Sequence, residues 1–339
     1  MPCFSPRQVF FHQRSDGKKE VKFSSQNARL WSEGKPLVGQ NRGTLPCGWC
    51  VGCRMDKSQS LAVRATHELI TSPRSCFLTL TYADKFLPKD GSVRKEVAKK
   101  FMHDFRQKCA RGFEYVDLKG KTQFYQQSEG IRFLSCGEYG DKLERPHYHF
   151  LIFNFDFPDR RFFKRSRGGR IYVSETLSSL WTNGHHGIGM VTFESAAYVA
   201  RYVHKKIVGD LAEEHYQGRN PEFVEYSRMP GLGRPYLEQF LSDIYPRDYV
   251  IVQRERKVKV PQYYDRIIKV SNPDLWKQVS DARLERREKL SDDVFSFSQL
   301  EKKRNKLVKK MSDWTRSIEN GSYECGEAGS LQSASETLS

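Results

Sequence analysis

Residues 131–153 read IRFLSCGEYGDKLERPHYHFLIF, and this stretch decides the fold. It contains two runs that are rich in β-forming residues, Ile131–Cys136 and His147–Phe153, on either side of a polar loop with a glycine and a proline. This pattern predicts two antiparallel strands joined by the loop, that is, a β-hairpin. The apolar end of the second run, FLIF, indicates that this strand lies in a core.

One face of this predicted hairpin carries side chains that bind metals. Residues two apart in a strand point to the same face, so His147 and His149 project together. If the strands pair across loop 139–146, Glu138 lies directly opposite His147 and shares that face. A histidine pair in a core strand is costly unless it binds something, and a carboxylate often joins two histidines on a divalent metal. The sequence therefore predicts a metal site here, with two hydrogen-bonded surface histidines as the alternative.

The segments on either side predict further strands and helices. In chain order they are a helix over Asp56–Ile70, a strand over Cys76–Tyr82, a helix over Val93–Ala110, the two hairpin strands, a short helix over Val173–Trp181, a strand over Gly187–Phe193 and a helix over Ser195–Val208. From residue 76 onward the order is strand, helix, strand, strand, helix, strand, helix. This order predicts an α/β (α+β) domain with a mainly antiparallel sheet of ferredoxin type, flanked by helices.

The last of these helices carries two tyrosines one turn apart, Tyr198 and Tyr202, with Lys205 and Lys206 beside them. The same helix has an apolar stripe formed by Ala196, Val199, Ala200, Val203 and Ile207. Because this stripe gives the helix a core face without the tyrosines, we expect both rings on the opposite face. Two phenols beside lysines suit a pair of nucleophiles that attack phosphate, since a nearby cation favours phenolate and neutralises phosphate charge. Ordinary packing aromatics are the alternative.

A second candidate metal site is the run Cys47-x-x-Cys50-x-x-Cys53. Its spacing is typical of zinc ligands, but a tetrahedral structural zinc site takes four ligands. The fourth ligand stays open between Cys3, His67 and Cys76. The alternative is three reduced cysteines that cap the following helix.

The composition favours a polyanionic partner. The 339 residues include 57 Lys and Arg against 41 Asp and Glu, a formal net charge of +16, and this excess suits nucleic acid. With 22 Phe, 16 Tyr and 5 Trp the chain can fill a core, which excludes wholesale disorder. Its apolar runs are too short for a membrane span, and Met1–Arg7 has no apolar signal core. The eight sparse cysteines fit a reducing compartment, so we expect a cytoplasmic protein.

Changes in composition divide the chain into four segments. We expect residues 1–72 to form a cysteine-containing segment and a helix, and residues 73–210 to form the sheet domain. Residues 211–318 are a basic extension, largely helical after residue 274, whose Lys302–Lys310 stretch could grip phosphates. Residues 319–339 are rich in Ser, Gly and Glu, which predicts a disordered tail.

Together these motifs resemble those of the HUH endonucleases of rolling-circle replication. The stretch FLTLT at Phe77–Thr81 is similar to the first motif of that superfamily, RPHYHFLI at Arg145–Ile152 to its histidine motif, and YVARYVHKK at Tyr198–Lys206 to its tyrosine motif in the two-tyrosine form. Three further segments, Pro46–Arg54, Cys136–Gly140 and Val191–Tyr198, are similar to the replication initiation proteins of gokushovirus-type Microviridae, which are small single-stranded DNA bacteriophages. The joint occurrence of the motifs is far more specific than any one of them.

The resemblance implies that residues 73–210 form a HUH endonuclease domain, a site-specific, metal-dependent DNA nickase and strand-transfer enzyme. One of the paired tyrosines would attack the scissile phosphodiester and form a 5′-phosphotyrosyl intermediate. Mg²⁺ or Mn²⁺ would be held by the carboxylate and the two histidines of the hairpin. Lys205 and Lys206 would neutralise the developing charge, and the second tyrosine would allow the displaced circle to be joined.

The resemblance also implies the setting of the reaction. The substrate would be single-stranded or supercoiled phage DNA at the replication origin, in the cytoplasm of a bacterial host. Since the sequence has no Gly-x-x-x-x-Gly-Lys-Ser/Thr loop, unwinding would need a host helicase, and a host DNA polymerase would extend the free 3′ end. Two other readings stay open: a plasmid relaxase or transposase with the same chemistry, and a non-catalytic basic protein that binds or packages single-stranded DNA.

Overall fold

The structure is a computed structural model that describes residues 3–13, 19–23, 41–128, 130–140, 143–166, 169–205, 211–252, 255–289 and 297–319. The chain divides into two compact units. The first comprises residues 1–57 and 290–312, and the second comprises residues 58–289 and 313–339.

Strands and helices alternate along most of the described chain. The strands are β1 (Arg7–Gln13), β2 (Lys19–Phe23), β3 (Asn41–Leu45), β4 (Ser75–Tyr82), β5 (Phe113–Val116), β6 (Thr122–Tyr125), β7 (Arg132–Tyr139), β8 (Pro146–Phe153), β9 (Arg161–Ser166), β10 (Gly169–Val173), β11 (Gly184–Gly189), β12 (Phe223–Tyr226), β13 (Tyr249–Val252) and β14 (Arg256–Lys259). The helices are α1 (Val51–Ile70), α2 (Lys95–Arg111), α3 (Glu175–Leu180), α4 (Phe193–Lys205), α5 (Leu211–Tyr216), α6 (Arg234–Gln239), α7 (Leu241–Ile244), α8 (Gln262–Ser271), α9 (Pro273–Glu288) and α10 (Phe297–Glu319).

The second unit is built on a seven-stranded sheet in the order β12-β7-β8-β4-β11-β10-β9. Each neighbouring pair in this sheet is antiparallel. Strands β4, β7, β8 and β11, with α2 and α3 as the connecting helices, follow the order strand, helix, strand, strand, helix, strand. If these four strands are numbered 1 to 4 along the chain, the sheet order β7-β8-β4-β11 reads 2-3-1-4. Read from the other edge, the order is 4-1-3-2, which is the ferredoxin-like arrangement. The predicted α+β fold with an antiparallel sheet is confirmed.

Both faces of this sheet are covered, because alternate residues of its inner strands are apolar in both directions. On β4, Leu78 faces one core together with Phe105 of α2. Phe77 of the same strand faces the other core, together with Ala65 of α1 and Val199 of α4. Each fully buried Leu or Phe side chain stabilises the fold by about 1.5–3 kcal/mol. Residues on the second face of the sheet are therefore held firmly beneath α4.

One strand of the large sheet comes from beyond residue 210, the predicted end of the sheet domain. Strand β12 lies beyond residue 210, yet it pairs with β7, with Val224 opposite Cys136. Further along the second unit, Ile244, Tyr264 and Ile268 contribute to a third, smaller core. The predicted segment boundaries stay predictions. The predicted tail after residue 319 lies outside the described residues, and within them no helix is long and apolar enough to cross a membrane.

The predicted bounds before α4 were wrong. The strand expected over Gly187–Phe193 ends at Gly189, and α4 begins at Phe193 instead of Ser195. Side-chain caps explain the early start of the helix. The Thr192 backbone N–H donates to Ser195 Oγ over 2.8 Å, and the Ser195 N–H donates to Thr192 Oγ1 over 3.2 Å. This reciprocal pair satisfies amide groups that have no partner inside the helix.

Candidate active site

The pairing of three sheet strands brings the candidate ligands together. In the hairpin of β7 and β8, Glu138 lies opposite His147, as expected from the sequence, and Cys136 lies opposite His149. Strand β4 lies on the other side of β8 and places Thr79 beside His149. Because directly paired residues share a face, the carboxylate and both imidazoles lie on the face that α4 covers.

The distances within this cluster are those of a compact ligand set. Glu138 Oε1 lies 2.8 Å from His147 Nε2 and 2.6 Å from His149 Nε2. One ligand atom from each of the three residues lies within 4.8 Å of the other two. Glu138 and His149 are 1% and 2% exposed, so water cannot satisfy their polar atoms. The structure thus places a buried carboxylate between two imidazole nitrogens.

Two buried atoms of this cluster are poorly satisfied. Within the described part of the chain, Glu138 Oε2 has no hydrogen-bond partner. His149 Nε2 is close to Glu138 Oε1, but not along a hydrogen-bond direction. An unsatisfied buried polar group costs about 1–3 kcal/mol. A cation that takes both atoms as ligands would remove that cost, so the arrangement is compatible with metal binding.

The charges of the cluster also suit a cation. Burial raises the pKa of Glu138, but the adjacent His147 and His149 outweigh it and hold that pKa below its usual range. Burial lowers the pKa of His149, although Glu138 opposes the shift. The site therefore favours an ionised Glu138 carboxylate, which is the form that binds metals.

A second layer of contacts orients the two histidines. His149 Nδ1 lies 3.1 Å from Thr79 Oγ1, and His147 Nδ1 lies 3.1 Å from the carbonyl oxygen of Arg145. A carbonyl can only accept, so His147 donates from Nδ1 when this bond forms. Nε2 of His147 lies 2.8 Å from Glu138 Oε1 and donates to that carboxylate; the Nε2 proton is the one that a bound cation would displace. The Thr79 hydroxyl can accept from Nδ1 of His149, and in that tautomer the lone pair of His149 lies on Nε2. Sequence reasoning missed Thr79, although its position within the FLTLT motif carried the signal.

The paired tyrosines lie directly above the ligands. Tyr198 Oη donates to Glu138 Oε1 over 2.8 Å, and Tyr202 Oη donates to Tyr198 Oη over 3.0 Å. The ring of Tyr198 also packs edge-on against the imidazole of His149, with 5.3 Å between ring centroids. A continuous set of contacts therefore runs from Tyr202 through Tyr198 to the carboxylate.

This position corrects the expectation that the tyrosines face away from the core. Tyr202 is buried in the same core as Ala196, Val199 and Ala200, and Tyr198 packs against that core. Ala196, Val199 and Ala200 form one broad inner face with the tyrosines, because the sheet beneath α4 is itself polar where the ligands lie. A helix surface alone does not reveal such a polar patch on its partner.

The cations near the tyrosines are only partly described. Lys205 is the last described residue of α4, its side chain lies outside the described part, and Lys206 lies outside the described residues. Arg201 was missed by sequence reasoning. Its guanidinium carbon lies 5.4 Å from the ring centroid of Tyr198, a cation–π contact. The signal was its spacing of three residues from Tyr198, which places both on one side of the helix.

The cysteine cluster gains a fourth member in the structure. Cys3 joins the three cysteines of the CxxCxxC run, and the four sulfur atoms lie within 4.8 Å of one another. The other two candidates for the fourth ligand have different neighbours. His67 Nδ1 is 2.8 Å from Tyr264 Oη, and Cys76 is buried in the core beneath α2. This cluster is a second arrangement compatible with metal binding.

The part of the chain that carries the candidate site is similar in sequence to known proteins. The family model for replication-associated protein ORF2/G2P matches residues 75–207, from β4 through α4. Replication-associated protein VP4 of Bdellovibrio phage phiMH2K is 31% identical over 233 residues, which cover 68% of this chain and 70% of the relative. The chain belongs to the phage replication-associated proteins. The predicted likeness to the replication initiators of small phages is thereby confirmed.

Two further relatives of this phage replication-associated protein are similar over different lengths. Replication-associated protein ORF2 of Spiroplasma virus 4 is 28% identical over 330 residues, 95% of this chain and 92% of the relative. Replication-associated protein ORF4 of Chlamydia phage 1 is 31% identical over 218 residues, 62% of this chain and 51% of the relative. No solved structure matches the chain.

Proposed function

We propose that this phage replication-associated protein is a site-specific, metal-dependent DNA nicking and strand-transfer enzyme that initiates and terminates rolling-circle replication. The observation that carries the proposal is a series of contacts. Tyr202 donates a hydrogen bond to Tyr198, which donates to Glu138. The Glu138 carboxylate in turn lies between the imidazoles of His147 and His149. A protein that only coats single-stranded DNA has no need of this arrangement. The same chemistry in a plasmid relaxase or transposase is less favoured, because the relatives named above are phage proteins.

Glu138, His147 and His149 would hold a divalent cation, Mg²⁺ or Mn²⁺. The fit rests on the unsatisfied Glu138 Oε2 and on two imidazoles whose Nε2 atoms turn toward the carboxylate. When bound, the cation would polarise a non-bridging phosphate oxygen and neutralise negative charge. The contact of His149 with Thr79 and that of His147 with the Arg145 carbonyl would hold both imidazoles in position for the cation.

We assign the first attack to Tyr198, because its hydroxyl contacts the ligand cluster directly and that of Tyr202 does not. The phenolic oxygen forms a bond to phosphorus, and the bond between phosphorus and the 3′ oxygen breaks. In sum the phenol proton ends on the released 3′-hydroxyl, so the step is a transesterification without water. The product is a 5′-phosphotyrosyl protein and a 3′ end that can prime synthesis.

Tyr202 would serve in the second cleavage, when the regenerated origin returns while Tyr198 is still linked to DNA. The two hydroxyls are 3.0 Å apart, so a small shift of α4 or of the DNA exchanges their positions. Lys205 and Lys206 would help to neutralise the phosphate in both steps, as would Arg201 beside the Tyr198 ring. The 3′ end of the displaced strand would then attack the first phosphotyrosine and close the circle.

The open edge of the sheet offers a path for the DNA strand. In the row of paired residues that contains His149, β11 contributes Gly187 and edge strand β9 contributes Arg161. Arg161 therefore lies four strand spacings from His149, a distance of about 19 Å across the sheet. Phe163, two positions after Arg161, is 46% exposed, and an exposed aromatic ring among basic residues suits single-stranded DNA. We assign the β9–β10 edge to strand binding.

The substrate of this reaction would be single-stranded or supercoiled phage DNA at the origin. We place the reaction in the cytoplasm of the bacterial host, with a host helicase to separate the strands and a host DNA polymerase to extend the 3′ end. These partners follow from the proposed chemistry, which supplies a primer but neither unwinding nor synthesis.

The experiment that tests the proposal is covalent trapping. The purified protein is incubated with circular viral-strand DNA or an origin oligonucleotide and Mn²⁺, and denaturing gels reveal protein linked to DNA. Peptide mapping then identifies the linked tyrosine. We expect Tyr198→Phe to lose most of the first adduct, Tyr202→Phe to retain it but to release no closed circles, and the double variant to form none.

Tyr226→Phe is the matched control, because Tyr226 packs against the same core but not in the ligand cluster. It should nick and release circles like the wild type. No adduct with wild-type protein under any divalent metal would exclude the nickase and favour the coat protein. Full circle release by Tyr202→Phe would overturn the two-tyrosine mechanism.

A further inference from the structure

Four cysteines from two distant parts of the sequence meet in the first unit. Cys3 precedes β1, Cys47 and Cys50 lie in the segment before α1, and Cys53 lies in the first turn of α1. Their sulfur atoms all lie within 4.8 Å of one another. This cluster has no part in the proposed nicking chemistry.

The separation of the Cys3 and Cys50 sulfurs fits two ligands of one tetrahedral ion and not a disulfide. The Sγ atoms of Cys3 and Cys50 are 3.9 Å apart, whereas a disulfide bond is about 2.05 Å long. A regular tetrahedron with this edge has its centre about 2.4 Å from each corner, and a zinc–sulfur bond is about 2.3 Å. Cys3, Cys47, Cys50 and Cys53 form no disulfide with one another.

Backbone N–H groups point at these sulfurs. The Cys47 N–H donates to Cys3 Sγ over 3.2 Å, and the Cys50 N–H donates to Cys47 Sγ over 3.2 Å. The Phe4 N–H donates to Cys50 Sγ over 3.4 Å. A thiol is a weak acceptor, whereas a thiolate is a good one, so this donor set suits thiolates. Such contacts also orient the ligands of a metal.

The surroundings explain why this part of the chain would need a metal. The sheet of β1, β2 and β3 has short strands, and Val9 and Phe10 of β1 are buried. A small sheet buries little apolar surface, and small units of this kind are commonly stabilised by metals. A link between Cys3 and Cys47 would close a long loop, since 44 positions separate the two residues.

We propose that Cys3, Cys47, Cys50 and Cys53 bind one structural Zn²⁺ ion. Four protein ligands leave no open position for a substrate, which is the pattern of a structural site. The ion fixes the segment before β1 against the start of α1, and it does not take part in the reaction at the tyrosines. The inference stands independently of the proposed nickase function.

The test is the metal content of the full-length protein, purified under reducing conditions without chelators and measured by inductively coupled plasma mass spectrometry. We expect about one zinc per chain in the wild type. Cys3→Ser and Cys50→Ser should lose it, whereas Cys109→Ser should keep it, because Cys109 is buried in another core. His149→Ala should also keep it, which separates this zinc from any ion at the active site.

Thiol titration of the wild type gives a readout that does not depend on variants that fold. Addition of a zinc chelator should make four further thiols reactive under native conditions and lower the unfolding temperature. Replacement of zinc by Co²⁺ should give the visible absorption of a tetrahedral thiolate site. A protein without zinc whose four thiols react before any chelator is added would overturn the proposal. Bound iron in place of zinc, or disulfides found by mass spectrometry under these conditions, would overturn it as well.

Discussion

Replacing Thr79 by Val tests whether the hydroxyl of Thr79 positions a metal ligand. Val keeps the shape of the side chain and removes only the group that contacts His149 Nδ1 at 3.1 Å. Both residues are buried, at 8% and 2% exposure, so water does not replace the lost partner. Where Thr79 Oγ1 accepts from the His149 Nδ1–H, the substitution removes that acceptor from a buried N–H, a loss that costs about 1–3 kcal/mol. The cost falls on the tautomer that presents Nε2 to the metal.

The expected size of the effect follows from this cost. At about 1.4 kcal/mol for each factor of ten, the tautomer that binds metal becomes about 5- to 140-fold less favourable. This range brackets the 10- to 100-fold loss of metal affinity typical of such outer contacts. We therefore expect Thr79→Val to need about 10- to 100-fold more Mn²⁺ for half-maximal nicking, and to approach the wild-type rate at saturating Mn²⁺.

The assay is a Mn²⁺ titration of nicking, with calorimetric Mn²⁺ binding to the DNA-free protein as a second readout. Thr81→Val is the matched control, because Thr81 is on the same strand face but its hydroxyl contacts the carbonyl of His185 and not an imidazole. The reasoning is refuted if both variants need the same Mn²⁺ concentration. A loss of rate that excess metal does not restore would refute it equally, because the defect would then lie outside metal affinity.

Four further outcomes follow from the structure. EDTA, or His149→Ala, should abolish nicking and leave gel-shift affinity for DNA nearly unchanged, because phosphate contacts lie elsewhere; nicking that persists in EDTA contradicts the metal assignment. Neutralising Arg161 and Arg165 together should weaken binding to every single-stranded sequence alike and reduce the salt slope by about 1.4, whereas an unchanged slope removes the β9–β10 edge from the DNA path. Neutralising Lys309 on α10 tests the basic C-terminal helix in the same way. Burial lowers the pKa of His67 to about 3, below the unfolded value of about 6.5. Between these two pH values the unfolded chain binds a proton that the folded protein does not bind. The free energy of unfolding should therefore fall as the pH drops from about 6.5 to about 3. Urea unfolding of His67→Phe should show a shallower dependence on pH over that window, and equal slopes would contradict the assignment.

The hairpin and its ligands were predictable because the information is local. The strands β7 and β8 are joined by a short loop, so the pairing of Glu138 with His147 follows from counting residues back from the turn. Period-two alternation then places His149 on the same face. Neither step requires knowledge of any distant part of the chain.

The orientation of the tyrosines was not predictable from α4 alone. A helix surface shows which residues are apolar, but not which polar residues it meets on its partner. Tyr198 turns inward because a carboxylate from β7, 60 positions earlier, accepts its hydrogen bond. The sequence likewise named Cys3 only as one of three possible fourth ligands, because its partners lie more than 40 positions away. In both cases the position of the side chain depends on partners that are distant in the sequence.

The ladder between β7 and β8 has a consequence for how the chain tolerates change. A shift of one residue in this pairing would turn Glu138 to the opposite face of the sheet and bring Gly137 or Tyr139 beside the histidine. Most substitutions in the hairpin alter one contact, whereas a shift removes the carboxylate altogether. The hydrogen bond from the Gly140 N–H to the Arg145 carbonyl, 3.0 Å long, closes the ladder at this end. Insertions and deletions in the turn are therefore tolerated only where they preserve the pairing of Tyr139 with Pro146, so spacing in this segment is under stricter constraint than the identity of most of its residues.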